Sequence, residues 1–391
     1  MNAPSNNLIP LLDLDGVDRP IHQATGMPNA IYTDPAMLAV EREKVFDPTW
    51  ACIGFASDVE VKGAVKPIDF MGMPLLLVRD KDEHINVFHN VCSHRGVQLV
   101  DQPKVITGML CCPYHSWTYD LKGALKVTPH IGGMNQHTHD DFDCAKHGLK
   151  SVRSHVWMGL VFVNLSGDAP SFESRLQPLM ARWDEFFPSR NYDAFVPDLA
   201  HGDLTLNIQC NWKLAVENYC EAYHLPWVHP DLNTYSKLED HYNIEDQDFS
   251  GQGSHAYRLS EHEGFVLPRI AEWPAARIEN AEYISLFPNV LLGLQADHAF
   301  AMVLMPRGQE QVEERLRLFY VDESALSDEL LPARTAVLEA WRVVFSEDVG
   351  VVEAMQKGRH SAGFTGGAFS PVMDGPTHIF HKWLARQYQN N

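Results

Sequence analysis

Four residues that can bind a metal lie in two short stretches of the first third of the chain. Cys92 and His94 are separated by one residue in FHNVCSHRGVQLV, and Cys112 and His115 are separated by two in CCPYHSW. Seventeen residues lie between His94 and Cys112. The pattern C-x-H-x17-C-x2-H supplies two thiolates and two imidazoles, a donor set that binds either zinc or an iron–sulfur cluster.

The division of these donors between the two stretches favours a cluster. Mixed zinc sites usually begin with two cysteines and end with two histidines, whereas each stretch here contributes one of each. This suits a two-iron cluster in which one iron keeps thiolates and the other binds imidazoles, as in Rieske centres. A structural zinc ribbon is the alternative. Cys111 adjoins Cys112, but the spacing to His115 favours Cys112 as the ligand, and we expect Cys111 to pack in the core.

A second group of candidate ligands lies about a hundred residues later, in NWKLAVENYCEAYHLPWVHPDL. The apolar periodicity predicts a helix over 211–222, and we expect Glu221 and His224 to share a helix face. His224 and His229 are five residues apart, which a regular helix would separate by about 140°. Pro226 lies between them and interrupts regular helix geometry, which allows both imidazoles to converge on one ion.

Two histidines need an anionic third ligand to form the facial triad of a non-haem Fe(II) oxygenase. In FSEDVGVVEAMQKG, Asp348 shares the helical spacing of Val351, Val352 and Met355 and therefore the predicted inward face. The alternative is that Glu347 and Asp348 stabilise a helix amino terminus through its dipole. The preceding motifs favour Asp348 as the iron ligand.

Composition excludes several classes of partner. The 391 residues carry a net charge of −20, which disfavours nucleic acids and anionic membranes because both would repel the surface. The chain has no apolar run of membrane-spanning length, and its amino-terminal residues lack the basic region of a signal peptide. Seven cysteines, an odd number, favour metal binding over disulfides. We therefore expect a cytoplasmic protein.

The chain divides into three segments by pattern. Residues 1–49 comprise an extended lead-in and a helix, which is predicted over TDPAMLAVEREKVFDPTW. Short strand-like runs separated by turns predict a small all-β domain over residues 50–165. Residues 166–391 mix helices, predicted at 171–187, 211–224 and 328–358, with strands at 203–210, 281–304 and 312–322. The fold class is α+β, with the first and third segments forming one larger domain.

The chain resembles the terminal oxygenase alpha subunits of Rieske non-haem iron oxygenases, the ring-hydroxylating family. The likeness rests on CSHRG, CPYHSWTYDLKG, NWKLAVENYCEAYH, FPN at 287–289 and SEDVGVVEAMQKG, in the family's order. It implies a Rieske domain inserted in a helix-grip catalytic domain, in which an antiparallel sheet surrounds a long helix. It also implies a homotrimer in which each cluster faces the neighbouring subunit's iron.

This resemblance assigns roles to individual residues. Cys92, His94, Cys112 and His115 would bind one [2Fe-2S] cluster per chain, and His224, His229 and Asp348 one mononuclear Fe(II). Glu221 would link the two metal sites by hydrogen bonds to His224 and to His115 of the partner subunit; an exposed helix glutamate is the alternative. Electrons would come from NAD(P)H through a separate reductase of the flavin and ferredoxin type, and O2 would be the oxidant.

The same resemblance suggests a substrate class. Aspartate is commoner at the position of Glu221, and glutamate there is similar to the branch that oxidises quaternary ammonium compounds such as choline, betaines and carnitine. The expected reaction is hydroxylation or N-demethylation. Aromatic faces attract such cations, and the candidates are Trp227, Tyr223, Phe287 and Phe300, although for each of them packing in the core is the favoured interpretation.

The sequence is compatible with two other functions. The first is mono- or dioxygenation of an aromatic ring or aromatic acid, with Arg258, Arg269 or Arg277 binding a carboxylate. The second is a non-enzymatic electron carrier or zinc-stabilised binding protein, which would not require the second ligand group. A nicotinamide site is not expected, because GQGSHA at 251–256 lacks the third glycine and the strand–helix context of a dinucleotide fingerprint.

Overall fold

The computed structural model describes residues 14–257, 261–262 and 264–389. The described residues form two compact units. One comprises residues 52–169, and the other comprises the flanking segments up to residue 51 and from residue 170 onward. The mixture of helices with antiparallel strands agrees with the α+β prediction. None of the helices in the described ranges is long and apolar enough to cross a membrane.

The unit of residues 52–169 is built from short antiparallel strands. Its three sheets have the strand orders β4-β3-β2-β5, β1-β10-β9 and β6-β7-β8. The strands are β1 Ala51–Phe55, β2 Ala64–Phe70, β3 Met73–Arg79, β4 Ile85–His89, β5 Lys104–Val105, β6 Leu110–Cys111, β7 Thr118–Tyr119, β8 Leu125–Val127, β9 Arg153–Trp157 and β10 Leu160–Asn164.

The two loops that carry the first ligand candidates follow β4 and β6. Cys92 and Cys112 belong to a buried apolar cluster that includes Trp117 and Tyr119. Cys111 is exposed, so the expectation that it packs in the core was wrong. Side chains alternate between the faces of a strand, and because Leu110 points into the core, Cys111 points away from it.

The other unit has an eight-stranded antiparallel sheet. Its order is β11-β20-β19-β18-β17-β14-β13, with β12 also paired to β20, and β15 and β16 form a separate hairpin. The strands are β11 Val196–Pro197, β12 Asp203–Ile208, β13 His241–Glu245, β14 Phe249–Ser254, β15 Glu261–His262, β16 Phe265–Val266, β17 Ala281–Leu286, β18 Val290–Leu294, β19 His298–Gly308 and β20 Gln311–Tyr320.

Helices pack on this sheet and on one another. They are α1 Ala30–Thr33, α2 Met37–Glu41, which continues as a π-helical turn Arg42–Phe46, α3 Phe172–Trp183, α4 Trp212–Cys220, α5 Leu225–Val228, α6 Leu331–Arg359 and α7 Gly375–Gln389. Helix α4 contacts β14, β17 and β19 as well as α6 and α7. The 29 residues of α6 make it the longest helix described. The segment after α4, together with α6, carries the second group of ligand candidates.

Buried charges anchor α4 in this unit. Lys213 is fully buried and forms an ion pair with Glu41, whose other carboxylate oxygen accepts the indole N–H of Trp212 at 2.7 Å. One turn later, Glu217 forms an ion pair with Arg359 of α6 at 3.2 Å. Because a buried charge without a partner is costly, these pairs select one position for α4 relative to α2 and α6.

Candidate metal centres

The two loops around Cys92 and Cys112 have the same backbone turn. The amide of each cysteine donates to the carbonyl five residues later, Val97 or Trp117, at 2.8 Å. Each cysteine carbonyl accepts the amide of the fourth following residue, and those two residues, Gly96 and Ser116, have φ of 73° and 58°. The left-handed residue closes each turn, so the two loops present their donors in equivalent ways.

The four donors are arranged with sulfur inside and nitrogen outside. Cys92 and Cys112 are 3% and 2% exposed, whereas His94 is exposed and His115 is half-buried. The His94 and His115 rings have centroids 4.7 Å apart. Nδ1 of His115 is buried without a hydrogen-bond partner, as expected for an atom that binds a metal. Burial, followed by the neighbouring His115 and Arg95, lowers the pKa of His94 and favours the neutral, metal-binding form.

These donors fit two metal ions better than one. A four-coordinate zinc holds its ligands within about 2.3 Å and so brings all four donors close together. In the described part of the chain, two groups of three donors lie within 4.8 Å of one another. One is His224, His229 and Asp348, and the other is Asp80, Asp82 and His84. The four loop residues form no such group, which disfavours the zinc ribbon.

Hydrogen bonds surround the buried sulfur of Cys92. The Tyr119 hydroxyl lies 3.2 Å from Cys92 Sγ and 2.9 Å from Ser93 Oγ. Burial and the contact with Cys92 raise the pKa of Tyr119 to about 12, so the phenol stays protonated. The Trp117 indole stacks on the His94 ring at 4.7 Å between centroids and holds its orientation.

The second group of candidates converges at one point. Nε2 of His224 and Nε2 of His229 are 3.3 Å apart, and Asp348 Oδ1 lies 3.1 Å from the latter and 3.7 Å from the former. Asp348 Oδ1 is buried and makes no hydrogen bond. Three lone pairs therefore face a common centre without protons between them, and two imidazoles with one carboxylate are the donor set of a non-haem ferrous ion.

The backbone reaches this geometry differently from the prediction. Helix α4 ends at Cys220, and Glu221 is extended, with φ −127° and ψ 160°, so Glu221 and His224 do not share a helix face. Pro226 does not interrupt a helix either, because it lies in the first turn of α5, where its missing N–H costs nothing. The chain instead breaks before and after α5, and the two histidines flank this single turn.

The bounds of helix α6 exclude a role for Asp348 at a helix amino terminus. The helix begins at Leu331, so Glu347 and Asp348 lie in its interior and cannot stabilise its amino terminus. Asp348 is half-buried, as are Val351 and Met355, whereas Val352 is buried. The aspartate thus lies on the side of the helix that faces the two histidines.

A carboxylate holds each imidazole from behind. Glu221 Oε1 lies 2.7 Å from His224 Nδ1, and Glu347 Oε2 lies 2.8 Å from His229 Nδ1. Such contacts fix the ring tautomer and leave Nε2 free to bind a metal. Burial alone would lower the pKa of His229, but Asp348 and Glu347 raise it. The orientation of His229 by Glu347 was not predicted from the sequence, because this residue was considered there only for its interaction with the helix dipole. The available signal was the pair of consecutive acidic residues, Glu347 and Asp348, in an apolar helix.

A pocket with an empty volume of about 450 Å³, part of it open to solvent, adjoins these three donors. Its aromatic wall is formed by Tyr219, Tyr283, Trp341 and Phe345, and its polar wall by Asn218, Ser236, His241 and Gln252. Helix α6 supplies Trp341 and Phe345, and Trp341 donates its indole N–H to His298 Nε2 at 2.9 Å. The other nitrogen of His298 lies 2.7 Å from Asp297, so a buried chain of hydrogen bonds fixes the Trp341 ring.

The aromatic residues proposed from the sequence do not line this pocket. Trp227 and Tyr223 are 72% and 44% exposed, and Phe287 and Phe300 are buried in the core. Phe300 packs against the pocket residue Trp341 at 4.5 Å between centroids.

The arginines proposed for a carboxylate do not line the pocket either. Arg277 is bound to Glu185, Arg269 is exposed, and Arg258 lies outside the described residues. Among the described lining residues there is no lysine or arginine.

Comparison with protein families identifies both units. The family described as Rieske [2Fe-2S] domain matches residues 49–150, and that described as ring hydroxylating alpha subunit (catalytic domain) matches residues 198–390. Together these matches cover about three quarters of the chain.

Similar proteins share this organisation over most of their length. The glycine betaine monooxygenase oxygenase subunit of Chromohalobacter salexigens is 26% identical over 92% of this chain and 85% of its own. The carnitine monooxygenase oxygenase subunit of Escherichia coli is 28% identical over 88% and 87%. The structure of a quaternary ammonium Rieske monooxygenase superimposes with a TM-score of 0.78, at 21% identity, over 97% of this chain and 99% of that one. The predicted fold, a Rieske domain with a helix-grip catalytic domain, is confirmed.

Proposed function

The chain belongs to the Rieske non-haem iron oxygenases, as a terminal oxygenase alpha subunit, and from this premise we propose that it hydroxylates or N-demethylates a quaternary ammonium compound. Its cofactors are those of its two domains, a [2Fe-2S] cluster and a mononuclear iron. As an oxygenase subunit it acts with a reductase that supplies electrons from NAD(P)H, and its substrate is a small molecule.

The observation that carries the substrate class is the chemistry of the pocket beside His224, His229 and Asp348. Four aromatic side chains line it, and no lysine or arginine does so among the described residues. Aromatic rings attract a cation through their quadrupole without a fixed negative charge, and this is how quaternary ammonium groups are recognised. The names of the relatives, which refer to glycine betaine and carnitine, support the same class.

We assign the ligands as the sequence predicted. Cys92, His94, Cys112 and His115 would hold the cluster, in a domain of residues 50–165, and His224, His229 and Asp348 would hold the iron, in a domain of residues 1–49 and 166–391. When bound, the cluster supplies single electrons and the ferrous ion supplies the position at which O2 is activated. Two observations support this assignment. His115 Nδ1 and Asp348 Oδ1 are buried donor atoms without a hydrogen-bond partner. Nε2 of His224, Nε2 of His229 and Asp348 Oδ1 converge on one point.

The chain's own residues would then position the substrate and the ligands. Glu221 and Glu347 hold the two imidazoles, and Trp341, fixed through His298, offers its face to the cationic nitrogen. The apolar wall excludes water from the N-methyl groups. A hydroxylated N-methyl carbon on the released product loses formaldehyde and leaves the demethylated amine.

We further propose a homotrimer in which Glu221 connects the metal sites of neighbouring subunits. The carboxylate would accept hydrogen bonds from His224 and from His115 of the partner subunit. Two observations support this. The Glu221 side chain binds His224 while 14% of its surface stays exposed, and inter-subunit electron transfer is described for the structurally similar quaternary ammonium monooxygenase. A reducing, cytoplasmic location is supported by the seven cysteines, which lie within the described residues and form no disulfide with one another.

Oxygenation of an aromatic ring is the second candidate, because the same aromatic wall accommodates an arene. An aromatic acid is less suited, since no cationic side chain among the described lining residues binds its carboxylate.

Reductase-coupled turnover distinguishes the two candidates. We expect formaldehyde and a demethylated amine from N-trimethylated cations, and neither binding nor oxidation of a neutral isostere in which carbon replaces the charged nitrogen, such as 3,3-dimethylbutan-1-ol in place of choline. A diol or phenol from an arene, without formaldehyde from any N-methyl cation, would overturn the proposed substrate class. About three irons and two acid-labile sulfides per chain are expected in the purified protein.

A further inference from the structure

The polar wall of the pocket is one connected set of hydrogen bonds. Ser236 follows the 3-10 turn Leu232–Thr234, His241 begins β13, and Gln252 lies in β14. Ser236 Oγ lies 3.0 Å from His241 Nε2, and His241 Nδ1 lies 2.6 Å from Gln252 Oε1. Ser254, paired with His241 across the two strands, lies behind them, with its Oγ 3.0 Å from Ser236 Oγ. None of these side chains takes part in the proposed metal binding.

The direction of these hydrogen bonds is fixed at one end by a backbone carbonyl. The amide nitrogen of Gln252 donates to the carbonyl oxygen of Glu221 at 3.1 Å, and a carbonyl oxygen can only accept. The Gln252 side-chain oxygen must therefore face His241, which requires the proton of the imidazole to lie on Nδ1. His241 Nε2 consequently carries a lone pair toward Ser236.

The direction is fixed at the other end by Ser254. Its hydroxyl donates to the carbonyl of Ala256 at 2.8 Å and accepts the amide of Ala256 at 3.2 Å. Ser254 Oγ can therefore only accept from Ser236. Ser236 thus has one hydroxyl proton and two neighbouring acceptors, Ser254 Oγ and His241 Nε2. When the proton is donated to one acceptor, no hydrogen lies between Ser236 Oγ and the other acceptor.

The missing hydrogen is not supplied by protonation of the imidazole. Burial lowers the pKa of His241, although the hydrogen bond to the Gln252 side chain, the backbone of Ser236 and the charge of Asp240 oppose this shift. The ring is neutral at neutral pH. When the Ser236 proton is donated to Ser254, Ser236 Oγ and His241 Nε2 each keep a lone pair, and these two atoms lie 3.0 Å apart on residues that line the pocket.

We propose that Ser236 and His241 form a specificity site that accepts a hydrogen bond from a hydroxyl group of the substrate. The inference rests on the proposed function, and it narrows the substrate to a quaternary ammonium alcohol. The aromatic wall of Tyr219, Tyr283, Trp341 and Phe345 binds the charged nitrogen, and the acceptor pair orients the other end of the molecule. His241 acts as a positioning residue, because it sets the direction of the substrate without contacting the reacting atoms.

A carboxylate in place of the hydroxyl meets an unfavourable environment. It would place its own lone pairs against those of Ser236 and His241, which line the pocket. His241 donates its N–H to Gln252, and Gln252 donates one of its two amide N–H groups to the Glu221 carbonyl. Asn218 and the second N–H of Gln252 are the lining amide donors that can still compensate a carboxylate, and a matched ligand series measures whether they do.

Calorimetric binding to the holoprotein, without reductant, tests the proposal with three trimethylammonium probes. They carry a 2-hydroxyethyl, a propyl or a carboxymethyl group, so that the first two differ only in the hydroxyl. We expect the hydroxyethyl compound to bind about tenfold more tightly than the propyl compound, since one satisfied buried hydrogen bond is worth about 1 kcal/mol or more. The carboxymethyl compound should bind more weakly than the hydroxyethyl compound.

Two variants assign the preference to the acceptor pair. His241→Phe keeps a planar ring but removes both nitrogens, and Ser236→Ala removes the oxygen while leaving the imidazole in place. His241→Phe should bring the ratio of the two dissociation constants to about 1 without weakening the propyl compound, and Ser236→Ala should reduce the ratio. His255→Phe, a matched change at an exposed histidine that does not line the pocket, should leave it unchanged.

The outcomes separate this inference from the proposed function. Equal binding of the hydroxyethyl and propyl compounds, an unchanged ratio in both variants, or tighter binding of the carboxymethyl compound would overturn the specificity site, while formaldehyde release from any of the three would still support the proposed function. Failure of all three cations to bind would remove both.

Discussion

Glu347 and His229 form a hydrogen bond of 2.8 Å between the carboxylate Oε2 and the imidazole Nδ1, on the ring edge opposite to Asp348. Two consecutive residues of α6 therefore hold one imidazole at both of its nitrogens. Because Nδ1 donates its proton to Glu347, Nε2 keeps its lone pair for a metal, and Asp348 approaches from the metal side.

The first prediction concerns this contact. Glu347→Gln keeps the shape of the side chain but removes the charge that orients and polarises His229, and we expect the affinity for Fe(II) to fall about 10- to 100-fold. Competition with a chelator measures the affinity, and the visible spectrum of the cluster should not change. Glu339→Gln, an exposed position on the same helix, is the control. Equal iron affinity in the two variants would mean that Glu347 does not orient the ligand.

The second prediction concerns the cluster. Tyr119→Phe removes the hydroxyl that lies 3.2 Å from Cys92 Sγ. A hydrogen bond to a cluster sulfur favours the reduced, more negative state, so its loss should lower the reduction potential. One net hydrogen bond of about 1 kcal/mol corresponds to about 40 mV for a one-electron couple. Redox titration of the reduced-cluster paramagnetic signal measures the shift. Tyr114→Phe removes an exposed hydroxyl and should leave the potential unchanged; equal potentials in the two variants would contradict the prediction.

The third prediction concerns the aromatic wall. Trp341→Leu preserves apolar volume in part but removes the ring face, and we expect KM for a quaternary ammonium substrate to rise about tenfold, in keeping with roughly 1 to 2 kcal/mol for a desolvated cation–π contact. Trp341→Phe keeps a ring and should raise KM less. If Leu and Phe raise KM equally for the cation, Trp341 does not bind the charge.

The fourth prediction concerns a buried acid on β20. Burial, and then the charge of Asp348, raise the pKa of Glu314 to about 8. An ordinary glutamate in the unfolded chain has a pKa near 4.3. The native state therefore binds a proton that the unfolded state has released between these values, and the contribution of Glu314 to stability is full below about pH 4.3 and is lost as the pH rises toward 8.

Glu314→Gln is neutral at every pH, so at pH 8 it should be more stable than the parent chain by a few kcal/mol, because each unit by which the pKa of Glu314 is raised corresponds to about 1.4 kcal/mol. At pH 4.5 the variant should be no more stable than the parent chain. Thermal unfolding at a series of pH values measures the difference. Glu313→Gln, at the neighbouring half-buried position that binds Arg307, is the control and should show no such gain. A constant difference across the pH range would contradict the raised pKa.

Much of this protein could be read from the residues alone, because metal chemistry restricts which side chains can act as ligands. The C-x-H and C-x2-H spacings indicated two ligand-bearing loops, with Cys92, His94, Cys112 and His115. The second group consists of donor types that a ferrous ion prefers, namely His224, His229 and Asp348. Alternating and helical hydrophobic patterns were sufficient for the division into β-rich and mixed segments, because each element buries one face.

The remaining features depend on contacts between residues far apart in the chain. Glu347 meets His229 across 118 positions, and Trp341 meets His298 across 43. No local pattern encodes such pairs, and for this reason the sequence pointed to Trp227 and Phe300 for an aromatic wall that Tyr219, Tyr283, Trp341 and Phe345 provide. Helix α4 likewise ends at Cys220, two residues before the end that the apolar periodicity predicts. The residue types specified which metals are bound, and only the folded chain specified which side chains orient the ligands and surround the substrate.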